Sequence, residues 1–351
     1  MLKKILIIFN VSIFFFFILN FLVVLTWPIY AKSNKDKHNY IEEQIELLGL
    51  NNDQLITLYN ETWENYDKFR FIPFMGHTET ERKGSFVNFD EENGRKVVRP
   101  STCETNIYLY GGSTTFGYNV TDNQTIGQEM QNALPNNYCI YNHGRAYFYS
   151  KQENNLFFSH LENKKKIHKA IFLDGVNERC GSYEYANHLY KSFSLLVERP
   201  YLMWKKTSTN FLYSLPVVQF ANAIKHKNRF VNDNNNNILK VSSCENKIPI
   251  NELFQTRVNQ RHGVCTSSNI ECFSFLQPMA GSHGVQIKKL TRTNHTHFVK
   301  KYQKLKESKK NIVDLGYVFN EDIELSYIDG IHYSPLSNRK IAKELLKIVI
   351  N

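Results

Sequence analysis

The sequence predicts an α/β fold: a largely parallel sheet with helices on both faces. Two observations lead there. From about Asn106 onward, short apolar runs alternate with helical patterns. The runs are continuously apolar rather than alternating, as strands covered on both faces require. A third observation bears on chemistry. Three of the runs end in short glycine-containing blocks, and ligands of open parallel sheets bind beyond the carboxyl ends of the strands.

The chain begins with Lys3 and Lys4, and residues 5–27 are then almost wholly apolar, interrupted by Asn10, Ser12, Asn20 and Thr26. At about 1.5 Å per residue this segment can cross a hydrocarbon layer of about 30 Å. It exceeds the roughly 7–15 apolar residues of a cleaved signal peptide, so residues 1–31 read as a signal anchor, with Ile29-Tyr30-Ala31 a poor cleavage site. The first lysines favour a cytoplasmic start, while Lys32, Lys35 and Lys37 flatten the charge bias. The expected protein is single-pass, with its catalytic domain outside the cytoplasm, in the periplasm or at the cell surface.

Residues 39–69 read as an amphipathic helix with Ile41, Ile45, Leu48, Leu55, Leu58 and Trp63 at the apolar positions. A hairpin follows, with strands at 85–89 and 96–99 around Asn93-Gly94. Together these form a juxtamembrane region over residues 32–100. The α/β domain spans 101–351. Its strands are expected at 107–110, 139–141, 170–173, 272–276 and 312–315, and its helices at 125–134, 152–165 and 293–307. A final helix capped by Ser337 runs to about Ile348. Residues 183–264 break the rhythm and include the polar run 232–237. They read as an insertion that caps the site.

Composition narrows the function. The net charge of +10 is dispersed, and the run at Lys164, Lys165 and Lys166 is short. It reads as a solvated helix end, so no nucleic-acid partner is expected. The six cysteines form no C-x-x-C pair, which argues against a zinc or redox motif. Beyond a membrane signal they fit disulfides. Cys103 lies just before one expected strand and Cys139 begins the next; if those strands are parallel neighbours a Cys103–Cys139 bridge fits, with free thiols the equal alternative. His295-Thr296-His297 reads as a helix start rather than a metal pair. No metal and no cofactor are expected.

Four blocks carry the chemistry: YLYGGSTTFG around Ser113, NHGR around Gly144, FLDGVNE around Asn177, and YIDGIHYS with Asp329 and His332. A serine hydroxyl needs a base within hydrogen-bond reach, and the base benefits from a carboxylate that fixes its tautomer. Asp329 and His332 supply both. The tetrahedral intermediate needs donors aimed at its oxyanion. The Ser113 and Gly144 N–H groups and the Asn177 amide are suitable. Glu178 and Arg179 read as substrate contacts or a surface pair, and Gln277-Pro278 as pocket lining or a strand end. Asn60, Asn119, Asn123 and Asn294 open glycosylation sequons.

In these blocks and their order the chain resembles the SGNH hydrolase superfamily, also called GDSL-like. The resemblance covers about 107 to the carboxyl terminus. It implies a three-layer α/β/α sandwich with a five-stranded parallel sheet of the flavodoxin-like kind. It implies Ser113 as nucleophile, Asp329 and His332 as the rest of a triad, and Ser113, Gly144 and Asn177 as oxyanion donors. Two departures stand out. Gly112 occupies the position where an aspartate usually precedes the serine, and Glu178 follows Asn177 where an aspartate is usual. The variant blocks and the apolar amino terminus resemble bacterial envelope members, several of which add or remove acyl groups on cell-surface polysaccharide. The expected activity is that of a membrane-anchored serine esterase acting on O-acyl, foremost acetyl, esters of a glycan or another small ester. An O-acyltransferase modifying cell-surface polysaccharide would use the same residues. A catalytically silent glycan-binding module is the alternative from another class. Protein partners are not indicated.

Overall fold

The computed structural model describes residues 10–11, 14–22, 45–64, 69–72, 75–178, 248–279, 296–308, 310–320, 327–329 and 331–350. Two compact units are present: Met1–Asn39 with Tyr183–Ser243, and Tyr40–Ser182 with Cys244–Asn351. In the first unit the described residues, 10–11 and 14–22, are helical. Phe14, Phe15 and Phe17 on this helix are exposed. Among the described residues no helix is long and apolar enough to cross a membrane. The rest of segment 5–27, the polar run 232–237, Arg179, Cys180, Cys244, His295 and the His297 side chain lie outside the described residues.

The second unit begins with helical residues 45–48, a turn at Gly49, and helix α1, Asn52–Tyr59. A capping box starts α1: the Asn51 side chain accepts from the Gln54 N–H, and the Gln54 side chain accepts from the Asn51 N–H. One π-helical turn, Asn60–Glu64, follows. The single helix expected over 39–69 is therefore interrupted. Its apolar positions are nonetheless used, because Leu48, Leu55 and Leu58 bury against Val87, Phe89, Phe116 and Tyr118.

Strands β1, Phe69–Ile72, and β2, Gly76–Glu79, form a separate antiparallel pair. Next come β3, Arg82–Lys83, β4, Asn88–Asp90, and β5, Gly94–Arg95. The parallel core follows in chain order: β6, Thr105–Gly111; α2, Ser113–Phe116; α3, Ile126–Ala133; β7, Tyr138–Asn142; α4, Ser150–Glu162; β8, Lys169–Asp174; α5, Ile250–Ser267; β9, Glu271–Leu276; α6, Thr296–Leu305; β10, Val313–Asp314; and α7, Pro335–Val349.

The main sheet has eight strands in the order β10-β9-β8-β6-β7-β5-β4-β3. β10, β9, β8, β6 and β7 are parallel, which is the five-stranded core expected. The sheet as a whole is mixed. β5, β4 and β3 continue it antiparallel beyond β7, joined through the Arg95–Asn142 pairing. The hairpin around Asn93 is shorter than expected but correctly centred, pairing Phe89 with Arg95 and Asp90 with Gly94.

Side chains alternate across the strands and build two cores. On one face Ile107, Leu109, Ile140, Ile171 and Leu173 pack against Ile126 and Met130 of α3 and Ile341 and Leu345 of α7. On the other, Tyr108, Tyr110, Ala170 and Phe172 pack against Leu156 and Phe157 of α4 and Cys265 of α5. The result is a three-layer α/β/α sandwich.

Two boundaries differ from expectation. α5 is the crossover helix between parallel β8 and β9, so the end of the expected insertion 183–264 belongs to the core. Its buried face includes Arg257 and Arg261, which disguise the apolar stripe. The cap of α7 is Ser334, not Ser337. The Ser334 hydroxyl accepts from the Ser337 N–H at 3.2 Å, and Pro335 follows in the first turn, where its missing N–H costs nothing.

Cys103 and Cys139 form a disulfide with Cα atoms 5.7 Å apart, linking the approach to β6 with the start of β7. A second disulfide, Cys265–Cys272, with Cα atoms 6.1 Å apart, ties the end of α5 to β9.

Candidate active site

The loops after β6, β7 and β8 carry Ser113, Gly144 and Asn177, and the segment before α7 carries Asp329 and His332. Ser113 is the first residue of α2, directly beyond the sheet. Its turn is closed by the Gly112 carbonyl, which accepts from the Thr115 and Phe116 N–H groups at 3.1 and 3.0 Å. A β-carbon at position 112 would lie 2.5 Å from Asn177 Nδ2. The glycine that replaces the usual aspartate therefore lets the Asn177 amide sit against the serine turn.

His332 Nε2 lies 2.9 Å from Ser113 Oγ, and His332 Nδ1 lies 2.7 Å from Asp329 Oδ2. Asp329 Oδ1 accepts from the backbone N–H groups of Ile331 and His332, each at 2.7 Å. Burial pushes the Asp329 carboxyl up. The attraction of the adjacent His332 ring and its hydrogen bond, with the two backbone N–H groups, outweigh that and hold it below the usual carboxylate range. An ionised carboxylate only accepts, so His332 Nδ1 donates to it. Nε2 is left as the acceptor for the serine proton. The Tyr118 ring is stacked at 5.7 Å from the imidazole, and the Trp63 ring stands edge-on at 5.9 Å. This arrangement can deprotonate a serine hydroxyl as it attacks a carbonyl.

The three expected oxyanion donors differ in their surroundings. The Ser113 N–H opens a helix and has no intrahelical acceptor. Asn177 Nδ2 donates one proton to the Phe148 carbonyl at 2.9 Å and carries a second. The Gly144 N–H is engaged, donating to Asn142 Oδ1 at 3.1 Å. Gly144 is also pressed against α2, where a β-carbon would lie 2.3 Å from the Phe116 nitrogen. Asn142 Nδ2 in turn donates to the Thr115 carbonyl at 2.8 Å, so the NHGR block braces the serine helix.

Several side chains have roles that sequence reasoning missed. Asn119 bridges Asp329 and Trp63, with Nδ2 2.7 Å from Asp329 Oδ2 and Oδ1 2.5 Å from Trp63 Nε1. It is buried, so its sequon is not open to a glycan in the folded chain. Glu178 is not at the surface. It accepts from the Ser150 N–H and hydroxyl at 2.7 and 2.9 Å and pairs with Arg257 at 3.1 Å, fixing the start of α4. Gln277, read from the sequence as pocket lining or a strand end, is buried, its Oε1 accepting from the hydroxyl of Thr114, the neighbour of Ser113, at 3.2 Å. Among the described residues no cluster suited to a metal ion occurs.

No family model matches the chain, and no curated protein matches it. Among solved structures it is similar to a lipolytic G-D-S-L family protein from Desulfitobacterium hafniense, at 13% identity over 70% of this chain and 99% of that one, with a TM-score of 0.38. A second G-D-S-L family protein, from Veillonella parvula, is 9% identical over 70% and 99% of the two chains, with a TM-score of 0.40. A carbohydrate acetylesterase family member from Sinorhizobium meliloti is 14% identical over 70% and 97%, with a TM-score of 0.36. The parallel core, its strand order and the four blocks on the loops around it agree with the three-layer α/β/α sandwich that the SGNH resemblance implies.

Proposed function

We propose that the chain is a membrane-anchored serine esterase that cleaves O-acyl esters, acetyl esters foremost, on a glycan or another small ester. The observation that carries this reading is the unbroken contact from Ser113 Oγ through His332 to Asp329. Ser113 Oγ attacks the ester carbonyl carbon as His332 Nε2 takes its proton. The negative charge that develops on the carbonyl oxygen is met by the Ser113 N–H and the second proton of Asn177 Nδ2. The alcohol leaves with the proton from His332, and water then releases the acyl group from Ser113 by the same steps.

The setting belongs to the same proposal. The apolar segment 5–27 supports an anchor. Two disulfides suit an oxidising compartment, and so a catalytic unit outside the cytoplasm.

A fluorophosphonate tests the reading. The folded wild-type protein is expected to form one covalent adduct, mapped by mass spectrometry to Ser113, and to hydrolyse short-chain acyl esters. A folded protein that forms no adduct and turns over no ester overturns the proposal. The Asn177→Ala variant is expected to lose about 10²- to 10³-fold in kcat with KM little changed, as removal of one oxyanion donor does. An unchanged kcat would remove Asn177 from that role.

A further inference from the structure

We infer that Asn119 and Trp63 are positioning residues that extend the Ser113–His332–Asp329 relay; the inference rests on the esterase reading above and goes past its four blocks. Trp63 lies in the π-helical turn Asn60–Glu64, Asn119 follows the serine helix, and Asp329 lies 210 residues further on.

Chemistry fixes the orientation of the Asn119 amide. An indole N–H can only donate, so the atom facing Trp63 Nε1 at 2.5 Å is the oxygen, Oδ1. The nitrogen, Nδ2, then faces Asp329 Oδ2 at 2.7 Å and donates to it. Asp329 accordingly receives four donors: two backbone N–H groups on Oδ1, and His332 Nδ1 with Asn119 Nδ2 on Oδ2. Without Asn119, His332 alone would hold Oδ2. The carboxylate that sets the imidazole tautomer would lose the side-chain donor that is independent of the imidazole.

Two further features show that this brace is built. Asn119 adopts a left-handed backbone, with φ 65°, and is 3% exposed. Asparagine tolerates this backbone better than most side chains, so the position can carry an amide. The turn that carries Trp63 is itself held in place. The neighbouring Glu61 carboxylate accepts from three consecutive backbone N–H groups, Ser85, Phe86 and Val87, at 2.7, 2.8 and 2.8 Å. The Trp63 ring packs on Tyr118 with centroids 5.0 Å apart, and both rings flank the His332 imidazole. The π-helical turn Asn60–Glu64 thus reaches Ser113 through Trp63, Asn119, Asp329 and His332.

The test uses the full chain carrying Asn119→Gly or Trp63→Phe. Glycine accepts the left-handed backbone freely, so it removes the amide without adding strain. Phenylalanine keeps an aromatic ring and removes only the indole N–H. Asn119→Gly is expected to lower kcat for a short-chain ester by about 10²-fold, the scale of a small misplacement of catalytic groups. KM and the unfolding midpoint should change little, and fluorophosphonate labelling of Ser113 should slow in parallel. Trp63→Phe should show the same split, with a smaller loss. Wild-type kcat in either folded variant overturns the inference, and with Ser113 still labelled it leaves the esterase reading intact. A wild-type protein without adduct or turnover sinks that reading first, and this inference falls with it.

Discussion

Ser113→Ala and His332→Ala are each expected to lower kcat by about 10⁴- to 10⁶-fold, and the double substitution to lose no more than either alone. The reason is the shared proton. Ser113 Oγ is a useful nucleophile only while Nε2, 2.9 Å away, can take its hydrogen. An alanine at either position ends the same step, so the losses do not add. Asp329→Asn should cost about 10⁴-fold. An amide at that position donates to, as well as accepts from, its neighbours, so it competes with the tautomer that leaves Nε2 free to accept. Residual turnover should persist in the single variants, because the proposed oxyanion donors, the backbone N–H at position 113 and the Asn177 amide, are retained. The measurement is steady-state hydrolysis of one short-chain ester across the single and double variants. Additive losses would show that the two residues do not act as a unit.

Stability is expected to fall with mild acid, by about 2 kcal/mol between neutral pH and pH 5 from His160, with His143 adding in the same direction. His143 and His160 are buried on the α4 face of the sheet, with ring centroids 4.3 Å apart. His143 stacks on Tyr108, and His160 Nδ1 lies 2.8 Å from the Tyr110 hydroxyl. Burial pushes His160 down to about 3, with Arg145 and Lys165 adding to the effect. Burial also pushes His143 well down, with His160, Arg145, Lys165 and Arg99 adding. Both rings are therefore neutral in the folded chain. In the unfolded chain each binds a proton near pH 6.5. Below that value the unfolded state holds more protons, so folding loses about 1.4 kcal/mol per pH unit per histidine. For His160 the loss runs from pH 6.5 down to about 3, and His143 adds in the same direction. Urea midpoints measured from pH 7.5 to 5 check this. His160→Gln, which keeps a partner for the Tyr110 hydroxyl, should roughly halve the slope. A flat wild-type profile would mean that these rings are charged in the folded chain.

What could be read in advance depended on how local the signal was. β6, β7, β8 and β9 are runs of consecutive apolar residues, and such runs are visible without any contact map. Ser113, Gly144 and Asn177 sit in blocks whose neighbours mark the strand ends, and Asp329 and His332 lie three residues apart. The partners of these residues are another matter. Asn119 meets Trp63 across 56 positions and Asp329 across 210, and no spacing rule links them. α5 was obscured because Arg257 and Arg261 occupy buried positions. They are neutralised there by Glu178 and by Asp174, the latter 2.5 Å from Arg261. β3 and β5 have two residues each, too few to show a period. Cys265 and Cys272 are seven apart on a helix end and a strand, and their pairing follows only once the strand lies beside the helix.

The strands that continue the sheet past β7 bear on how the molecule can be cut. A fragment begun at residue 101, where the first of the four blocks is near, would still contain all four. It would also leave the rim of β7 bare, because β5 pairs with that rim through Arg95 and Asn142. An uncovered rim of backbone donors and acceptors is a template for another chain. Such a fragment would also lack Arg95, a fully buried cation held 2.7 Å from Asp122, and so would carry that carboxylate without its counter-charge. Self-association of the trimmed protein would then reflect where it was cut, and would say nothing against the chemistry of Ser113.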